Sequence, residues 1–435
     1  MKSTIVAQQK NDASFDTVWD ELVWRGLIHV STDEAALKQA LAETELSYYC
    51  GFDPTAPSLH LGNLVQLLLM RRLQLAGHNP VGLVGGATGL IGDPRPTAER
   101  NLNDLETVAK WVELLKAQVE RFLDFEGEHP AQIANNLDWT SKLSAIEFLR
   151  DIGQHFRIGT MIKKDAVSAR LNSEAGISYT EFSYQVLQGM DFLELYRTRG
   201  VTLQTGGSDQ WGNLISGIDL IRRTEPDAKV HAIGTPLITN SDGTKFGKSE
   251  GNAIWLDAEL CSPYAFYQFW LNTDDRDVIT RLKVFTFLSR VEIEALEQSV
   301  ATEPHLRLAQ KTLAQVVTDL VHGPDATLAQ IAASAALFGQ GDLSALDAQT
   351  LSAATAELPS TNTVLGTSIV QLLQETGLTK SLGEGRRAID QGGVYVNNLK
   401  VGSADRVLED SDILSGGHII LRRGKKTLAA ARIPQ

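Results

Sequence analysis

Apolar and polar positions in the first half of the chain switch between two periods. Short runs rich in β-formers, Ser47 to Phe52, Val81 to Val84 and Val201 to Gln204, alternate with stretches whose apolar residues recur three or four apart, Leu64 to Leu75 and Gly212 to Arg222. Strands that feed helices in this rhythm predict an α/β fold with a parallel sheet. From about 103 to 175 the pattern is mainly helical, with Val108, Val112, Leu115 and Val119 on one stripe, and predicts a helical insertion in that sheet domain. Helical spacing returns after Trp255, through Tyr264 to Leu271 and Val291 to Leu320. Thr312 to Thr379 contains no Lys or Arg and is punctuated by Pro359-Ser360-Thr361, the composition of a domain junction. Beyond it, two helices, the second from near Gly383, and short strands at Val394 to Val396 and Ile419 to Leu421 predict a small α+β domain. The domain plan is thus 1–250, a helical domain over 251–345, a linker over 346–364 and a terminal module over 365–435.

With 435 residues, 43% of them hydrophobic, the chain can bury the cores of two or three domains. No uncharged apolar run approaches the ~18 residues of a membrane span, and Met1 to Phe15 carries Asp12 where a signal core would be apolar, so a cytoplasmic protein without membrane partners is expected. Cys50 and Cys261 lack CxxC or Cys/His spacing, which predicts neither disulfides nor a fixed metal site. A net charge of −13 argues against coating DNA by bulk charge. Yet Leu365 to Gln435 holds ten Lys and Arg against seven Asp and Glu, so a confined polyanion contact at that end is allowed.

Candidate chemistry concentrates in two motifs. The strand through Tyr49, Cys50 and Gly51 runs into Asp53-Pro54-Thr55, and His60-Leu61-Gly62-Asn63 then opens a helix. A glycine admits close backbone approach, a helix start offers free N–H groups to an anion, and a histidine adds a donor. Taken alone, this is also the composition of an ordinary strand-to-helix turn. Downstream, Asp242-Gly243-Thr244-Lys245-Phe246-Gly247-Lys248-Ser249 places two lysines and a hydroxyl in a glycine-punctuated loop, suited to clamping phosphate. Its glycines are one residue too close for a P-loop, and a solvated turn is the alternative.

These motifs, with Val84 to Pro94, Ser183 to Gln188 and Gly206 to Asn213 in order around them, resemble the class I aminoacyl-tRNA synthetases of bacterial tyrosyl type. The resemblance covers nearly the whole chain and implies a Rossmann-type catalytic domain, ATP and L-tyrosine as substrates, Mg2+ accompanying ATP, tRNA(Tyr) as acceptor and a homodimer paired through the insertion. It implies that Tyr49 and Asp191 bind the phenolic hydroxyl of tyrosine and that Asp93, Tyr184 and Gln188 hold its ammonium. Cys50, Asn63 and Asp209 would face the ATP ribose, with Gly51 and Gly62 giving the nucleotide room. Gln210 would lie near the reacting carboxylate, and Asp53, Thr55 and His60 along the phosphates. Lys245, Lys248 and Ser249 would close over pyrophosphate.

Two departures from the family pattern stand out. Asn63 replaces a common histidine but can still donate to a ribose oxygen. The loop Arg95-Pro96-Thr97-Ala98-Glu99-Arg100 lacks the lysine usual there, leaving Arg95 or Arg100 to supply its phosphate contact. At the other end, Ser381 to Ile389 and Gly392 to Asn397 resemble the RNA-binding module named after a small-subunit ribosomal protein, with Arg386, Arg387, Arg422, Arg423, Lys425 and Lys426 as its phosphate contacts. Three rivals remain: a tryptophanyl-type synthetase, opposed by Tyr49 with Asp191; a catalytically silent RNA-binding relative, opposed by His60, Lys245 and Lys248; and a small-molecule adenylyltransferase, which has no use for the tail.

Overall fold

Six strands form the first sheet: β1 (Val30–Ser31), β2 (Ser47–Phe52), β3 (Asn79–Val84), β4 (Gln132–Asn135), β5 (Val201–Gly207) and β6 (His231–Thr235). This computed structural model describes residues 9–95, 102–174, 176–244, 246–249, 252–338, 341–356, 358–424 and 427–434. Lys245, Arg100, Lys425 and Lys426 lie outside the described residues, as do the side chains of Lys248 and Ser249.

The sheet order is β1-β6-β5-β2-β3-β4. β2 pairs in parallel with β3 on one side and β5 on the other, and only β1 runs antiparallel, against β6. The chain moves outward from β2 to β3 and β4, then crosses back to β5 and β6. The loops leaving β2 and β5 therefore diverge, which opens a crevice beyond the carboxyl ends of these strands, where open α/β sheets bind ligands. Tyr48, Tyr49 and Cys50 are all buried, as a central parallel strand covered on both faces requires.

The insertion begins as predicted, with the Leu105–Val119 helix burying Val108, Val112, Leu115 and Val119. It is not wholly helical, however. β4 lies inside it and extends the sheet by pairing in parallel with β3.

Two compact units divide the chain: Met1–Leu260 with Thr273–Ala309, and Cys261–Asn272 with Gln310–Gln435. The helices expected as one domain over 251–345 are thus shared between the units. In the first unit, Glu21, Arg25 and Arg72 are buried together. Arg25 Nε lies 2.7 Å and Arg72 Nε 3.9 Å from Glu21 Oε1. The guanidinium of Arg25 also donates to the carbonyls of Lys283, Thr286 and Leu288, and that of Arg72 to Thr286, so both cations cap the C-terminal end of the Val278–Phe285 helix.

β7 (Lys248–Ser249) and β8 (Asn252–Ala253) pair with each other, and the second unit contains a five-stranded sheet built from β9 (Ser360–Asn362), β10 (Val394–Val396), β11 (Leu399–Lys400), β12 (His418–Arg423) and β13 (Thr427–Arg432), in the order β11-β10-β12-β13-β9. Along β12 the side chains alternate between two cores. Ile419 and Leu421 pack with Leu372, Leu373 and Ile389 of the Ile369–Glu375 and Leu382–Asp390 helices, while Ile420 packs with Leu337, Leu343, Leu351 and Ala354. Within 346–364, expected as a linker, the Ala348–Thr355 helix covers one sheet face and β9 pairs in parallel with β13. Among the described residues, no helix is long and apolar enough to cross a membrane.

Candidate active site

β2 delivers Tyr49 into the crevice, packed against Phe192 with ring centroids 5.3 Å apart. Its hydroxyl is fully buried and meets no hydrogen-bond partner among the described residues. Burial, and then the neighbouring Asp191 carboxylate, hold that hydroxyl well above the ordinary phenol range. Asp191 projects from the Tyr179–Arg199 helix and is itself buried. Asn136 Nδ2 donates to one of its oxygens and Trp139 Nε1 to the other, both at 2.9 Å. Burial raises the Asp191 pKa to about 7, partly offset by these two donors.

Asn136 does more than hold Asp191. Its Oδ1 accepts from the Ala87 amide at 2.7 Å and its Nδ2 donates to Thr88 Oγ1 at 3.0 Å. Thr88 in turn donates to Asp53 Oδ1 at 2.7 Å, and the Tyr184 hydroxyl donates to Asp53 Oδ2 at 2.7 Å. Tyr184, expected at the ammonium, is therefore bonded to the aspartate expected along the phosphates. Gly85 makes this geometry possible, because a Cβ there would sit 2.0 Å from Asp53 Oδ1. Burial, followed by Asp53 and Asp93, holds the Tyr184 hydroxyl well above its usual range, with Asp191 adding to the effect. A ring surrounded by carboxylates suits a cationic ligand group.

Asp93 follows β3 and accepts from Gln210 Nε2 at 3.0 Å and Asn213 Nδ2 at 3.3 Å, while Asn213 Nδ2 also donates to Gln210 Oε1 at 2.7 Å. Lys164 Nζ, from the insertion, donates to Asn213 Oδ1. Gln188 sits on the same helix as Tyr184 and Asp191, and its buried Oε1 lacks a partner among the described residues.

The first signature motif closes its own helix start. His60 is the N-cap of the Leu61–Leu75 helix, its Nδ1 accepting from the Gly62 amide at 3.0 Å while Asn63 Oδ1 accepts from the His60 amide at 3.1 Å. Asn63 thus completes a capping box and keeps its NH2 free to donate. His60 and Trp255 form an antiparallel bridge, which ties this motif to the segment after the second one. The second motif is anchored by the Val278–Phe285 region: Asp277 accepts from the Ser241 amide, Arg281 donates to the Thr239 carbonyl at 2.6 Å, and the Arg281 guanidinium stacks 4.1 Å from the Phe246 ring centroid. Lys248–Ser249 forms a short hairpin with Asn252–Ala253.

Cys50 is buried and its thiol is pushed up to about 12, so it packs and hydrogen-bonds rather than reacts. Gly51, Thr55 and Asp209 are exposed at the strand ends. In the second unit, Arg386 and Arg387 are exposed on the Leu382–Asp390 helix. Arg423, by contrast, bonds Glu384 at 2.9 Å and the Leu378 carbonyl at 2.7 Å, and Arg422 lies 4.0 Å over the Tyr395 ring.

Asn136, Trp139, Thr88, Asn213 and Lys164 were not singled out by the sequence. Of these, Thr88 and Asn213 lay inside quoted motifs. Asn136 directly follows β4, whose two apolar positions, Ile133 and Ala134, leave no readable strand pattern within the helical spacing.

Comparison with known proteins converges with this geometry. The family described as tRNA synthetases class I (W and Y) matches residues 41–339, and the one described as tyrosine-tRNA ligase SYY-like C-terminal domain matches 350–430. A tyrosine-tRNA ligase of Leifsonia xyli is 67% identical over 432 residues, covering 99% of this chain and 97% of its own. One of Streptomyces avermitilis is 62% identical, covering 95% and 98%. Among solved structures, a C-terminally truncated mitochondrial tyrosyl-tRNA synthetase of Coccidioides posadasii aligns with a TM-score of 0.64 at 31% identity, over 73% of this chain and 92% of its own. The carboxylate-lined crevice at the sheet's crossover and the two signature motifs thus lie in a chain that belongs to the tyrosine-tRNA ligases of the class I aminoacyl-tRNA synthetases.

Proposed function

We propose that the crevice binds L-tyrosine with its phenol between Tyr49 and Asp191 and its ammonium against Asp93, with Tyr184 and Gln188 beside it. The reaction is that of the family: ATP-dependent formation of tyrosyl-adenylate with release of pyrophosphate, then transfer of tyrosine to the 3′ end of tRNA(Tyr). The observation that carries the pocket reading is the buried, unpartnered Tyr49 hydroxyl beside a buried Asp191. A phenol supplies the missing hydrogen bond, whereas a phenylalanine ring leaves the Tyr49 hydroxyl unsatisfied.

In this reading the tyrosine carboxylate, ionised at neutral pH, attacks the α-phosphorus of ATP, and pyrophosphate leaves with the Mg2+ that entered as part of the nucleotide substrate. No side-chain nucleophile takes part. Gln210 orients the carboxylate, while Asp53, Thr55, His60 and the His60-capped helix start border the phosphates. Lys245, Lys248 and Ser249 stabilise the leaving pyrophosphate, and Cys50, Gly51, Gly62, Asn63 and Asp209 surround the ribose. Amino-acid-dependent exchange between ATP and pyrophosphate, run with tyrosine, phenylalanine and tryptophan, tests the pocket. Tyrosine should dominate, and comparable exchange with phenylalanine would refute the phenol site.

Two partner surfaces belong to the same proposal. The insertion exposes Ile146, Leu149 and Ile158, at 68%, 51% and 60%, an apolar face that a second copy of the chain would cover in a homodimer. A monomeric mass in sedimentation at micromolar concentration would remove that dimer. In the second unit, Arg386 and Arg387 offer exposed charge to tRNA phosphates, with Arg422, Lys425 and Lys426 as further basic residues of the same unit, whereas Arg423 is held by Glu384. Exchanging Arg386 and Arg387 for Gln is expected to flatten the salt dependence of tRNA binding by a slope of about 1 to 2 while tyrosine activation stays unchanged. An unaltered slope would exclude this helix from the contact. The cytoplasm, where tRNA is charged, is the proposed compartment.

A further inference from the structure

A chain of hydrogen bonds links Lys164 to Asp93 through two amide side chains. An ammonium can only donate and an ionised carboxylate can only accept, so the two ends fix the direction of everything between them. Lys164 Nζ donates to Asn213 Oδ1, which turns Asn213 Nδ2 toward both Asp93 Oδ1 and Gln210 Oε1. Because Gln210 Oε1 accepts that bond, Gln210 Nε2 must face Asp93 Oδ2. Without a donor at its oxygen, either amide can rotate by half a turn and set an oxygen against the carboxylate, since the two amide ends have nearly the same shape.

The lysine's path to Asn213 is also built. Its stem crosses the backbone of Gly212, where a Cβ would lie 2.9 Å from Lys164 Cε and 3.4 Å from Cδ. The glycine between Trp211 and Asn213 therefore has a reason that concerns neither turn nor backbone strain: it leaves room for the side chain that polarises its neighbour. Lys164 is half-buried, and burial pulls its pKa down to about 7 while the Asp93 carboxylate opposes that shift, so the donor-only ammonium gains weight as pH falls below neutrality.

We infer that Lys164 is a positioning residue for tyrosine binding, which fixes the polarity of the Asn213 and Gln210 amides so that both donate to Asp93. This rests on the reading of Asp93 as the ammonium site. With the amides correctly oriented, both present N–H groups and not carbonyl oxygens to Asp93, while Gln210 keeps a defined orientation beside the carboxylate. Lys164 bonds Asn213 and acts on Asp93 through it, so its loss should weaken tyrosine recognition more than it slows the chemical step.

The test compares Lys164→Met, Gly212→Ala and Asp93→Asn in the full-length enzyme, after thermal melts confirm folding. Pyrophosphate exchange gives kcat and the KM values for tyrosine and ATP, and aminoacylation gives the KM for tRNA. Lys164→Met keeps the stem and removes the donor, and it should raise the tyrosine KM about tenfold, the loss of one charge-assisted hydrogen bond, with kcat and the ATP KM within about twofold. Gly212→Ala displaces the same stem and should shift the tyrosine KM in the same direction. Lys164→Arg, which keeps a donor-only cation, should recover part of the loss. If Asp93→Asn raises the tyrosine KM but Lys164→Met changes only the tRNA KM, the inference is overturned and the lysine is an RNA contact. If Asp93→Asn leaves the tyrosine KM unchanged, the ammonium reading falls and takes the inference with it.

Discussion

Asp191→Ala is expected to lower kcat/KM for tyrosine in pyrophosphate exchange by about 100- to 1,000-fold, roughly 3 to 4 kcal/mol of lost recognition. The magnitude follows from burial. The carboxylate is buried, so the phenol of the substrate would keep its desolvation cost without its acceptor. Asn136 and Trp139 would lose theirs as well. Asp191→Asn should do little better, because its NH2 would confront one of two N–H donors that already point at that position. The wild type should also show a pH signature. A folded-state pKa near 7 lies above the ordinary 3.8, so this group's contribution to stability is complete below about pH 4 and is lost as pH rises through 7. Tyrosine binding should follow the opposite trend, tightening through the same window as the ionised carboxylate becomes available to accept the phenol proton. A variant that activates tyrosine normally, or a wild-type tyrosine KM that is flat from pH 6 to 8, would count against this assignment.

Glu21→Ala should destabilise the first unit by about 3 to 5 kcal/mol, because it leaves two buried arginines without their carboxylate. Arg25 and Arg72 still have backbone carbonyls, but carbonyl dipoles do not offset two like charges in contact. Burial and the neighbouring Arg25 already push Arg72 well below its ordinary pKa, and Glu21 is the group that opposes them. Since both arginines cap the helix whose other end holds Asp277 and Arg281 against the second signature motif, the variant should lose activation rate before it unfolds. The measurement is the denaturation midpoint together with the exchange rate at a temperature well below it. A loss under about 1 kcal/mol would mean that the carbonyls alone accommodate both cations.

The elements that sequence revealed are those with a long enough period to read. Ser47–Phe52 was legible because six consecutive strand residues end in a motif, and the Leu105–Val119 helix because its buried stripe repeats four times. β4 was not, since four residues with two apolar positions, Ile133 and Ala134, carry no measurable alternation inside helical surroundings. The 346–364 stretch was misread for a different reason. Its lack of Lys and Arg accompanied a covered surface, Leu351 and Ala354 beneath the sheet, whereas a flexible junction has the same composition. In the site, Tyr49 and Asp191 could be named from resemblance, but the hydrogen bonds that hold Asp191 come from Asn136 and Trp139, more than 50 residues away in sequence. Contacts across a sheet leave no local pattern.

The pairing of β9 with β13 also bears on how the second unit is made. β9 ends at Asn362 and its partner strand begins only at Thr427, so the edge strand emerges during translation long before the strand it joins. Until then Ile420 and Leu428 have no settled place against Leu337, Leu343 and Leu351, and the Ala348–Thr355 helix lacks the surface it covers. A contact of such long sequence separation forms late, because the intervening chain must be closed first. The unit should therefore pass through a nascent state with an apolar helical face and an unpaired strand edge, the kind of surface that chaperones hold during synthesis.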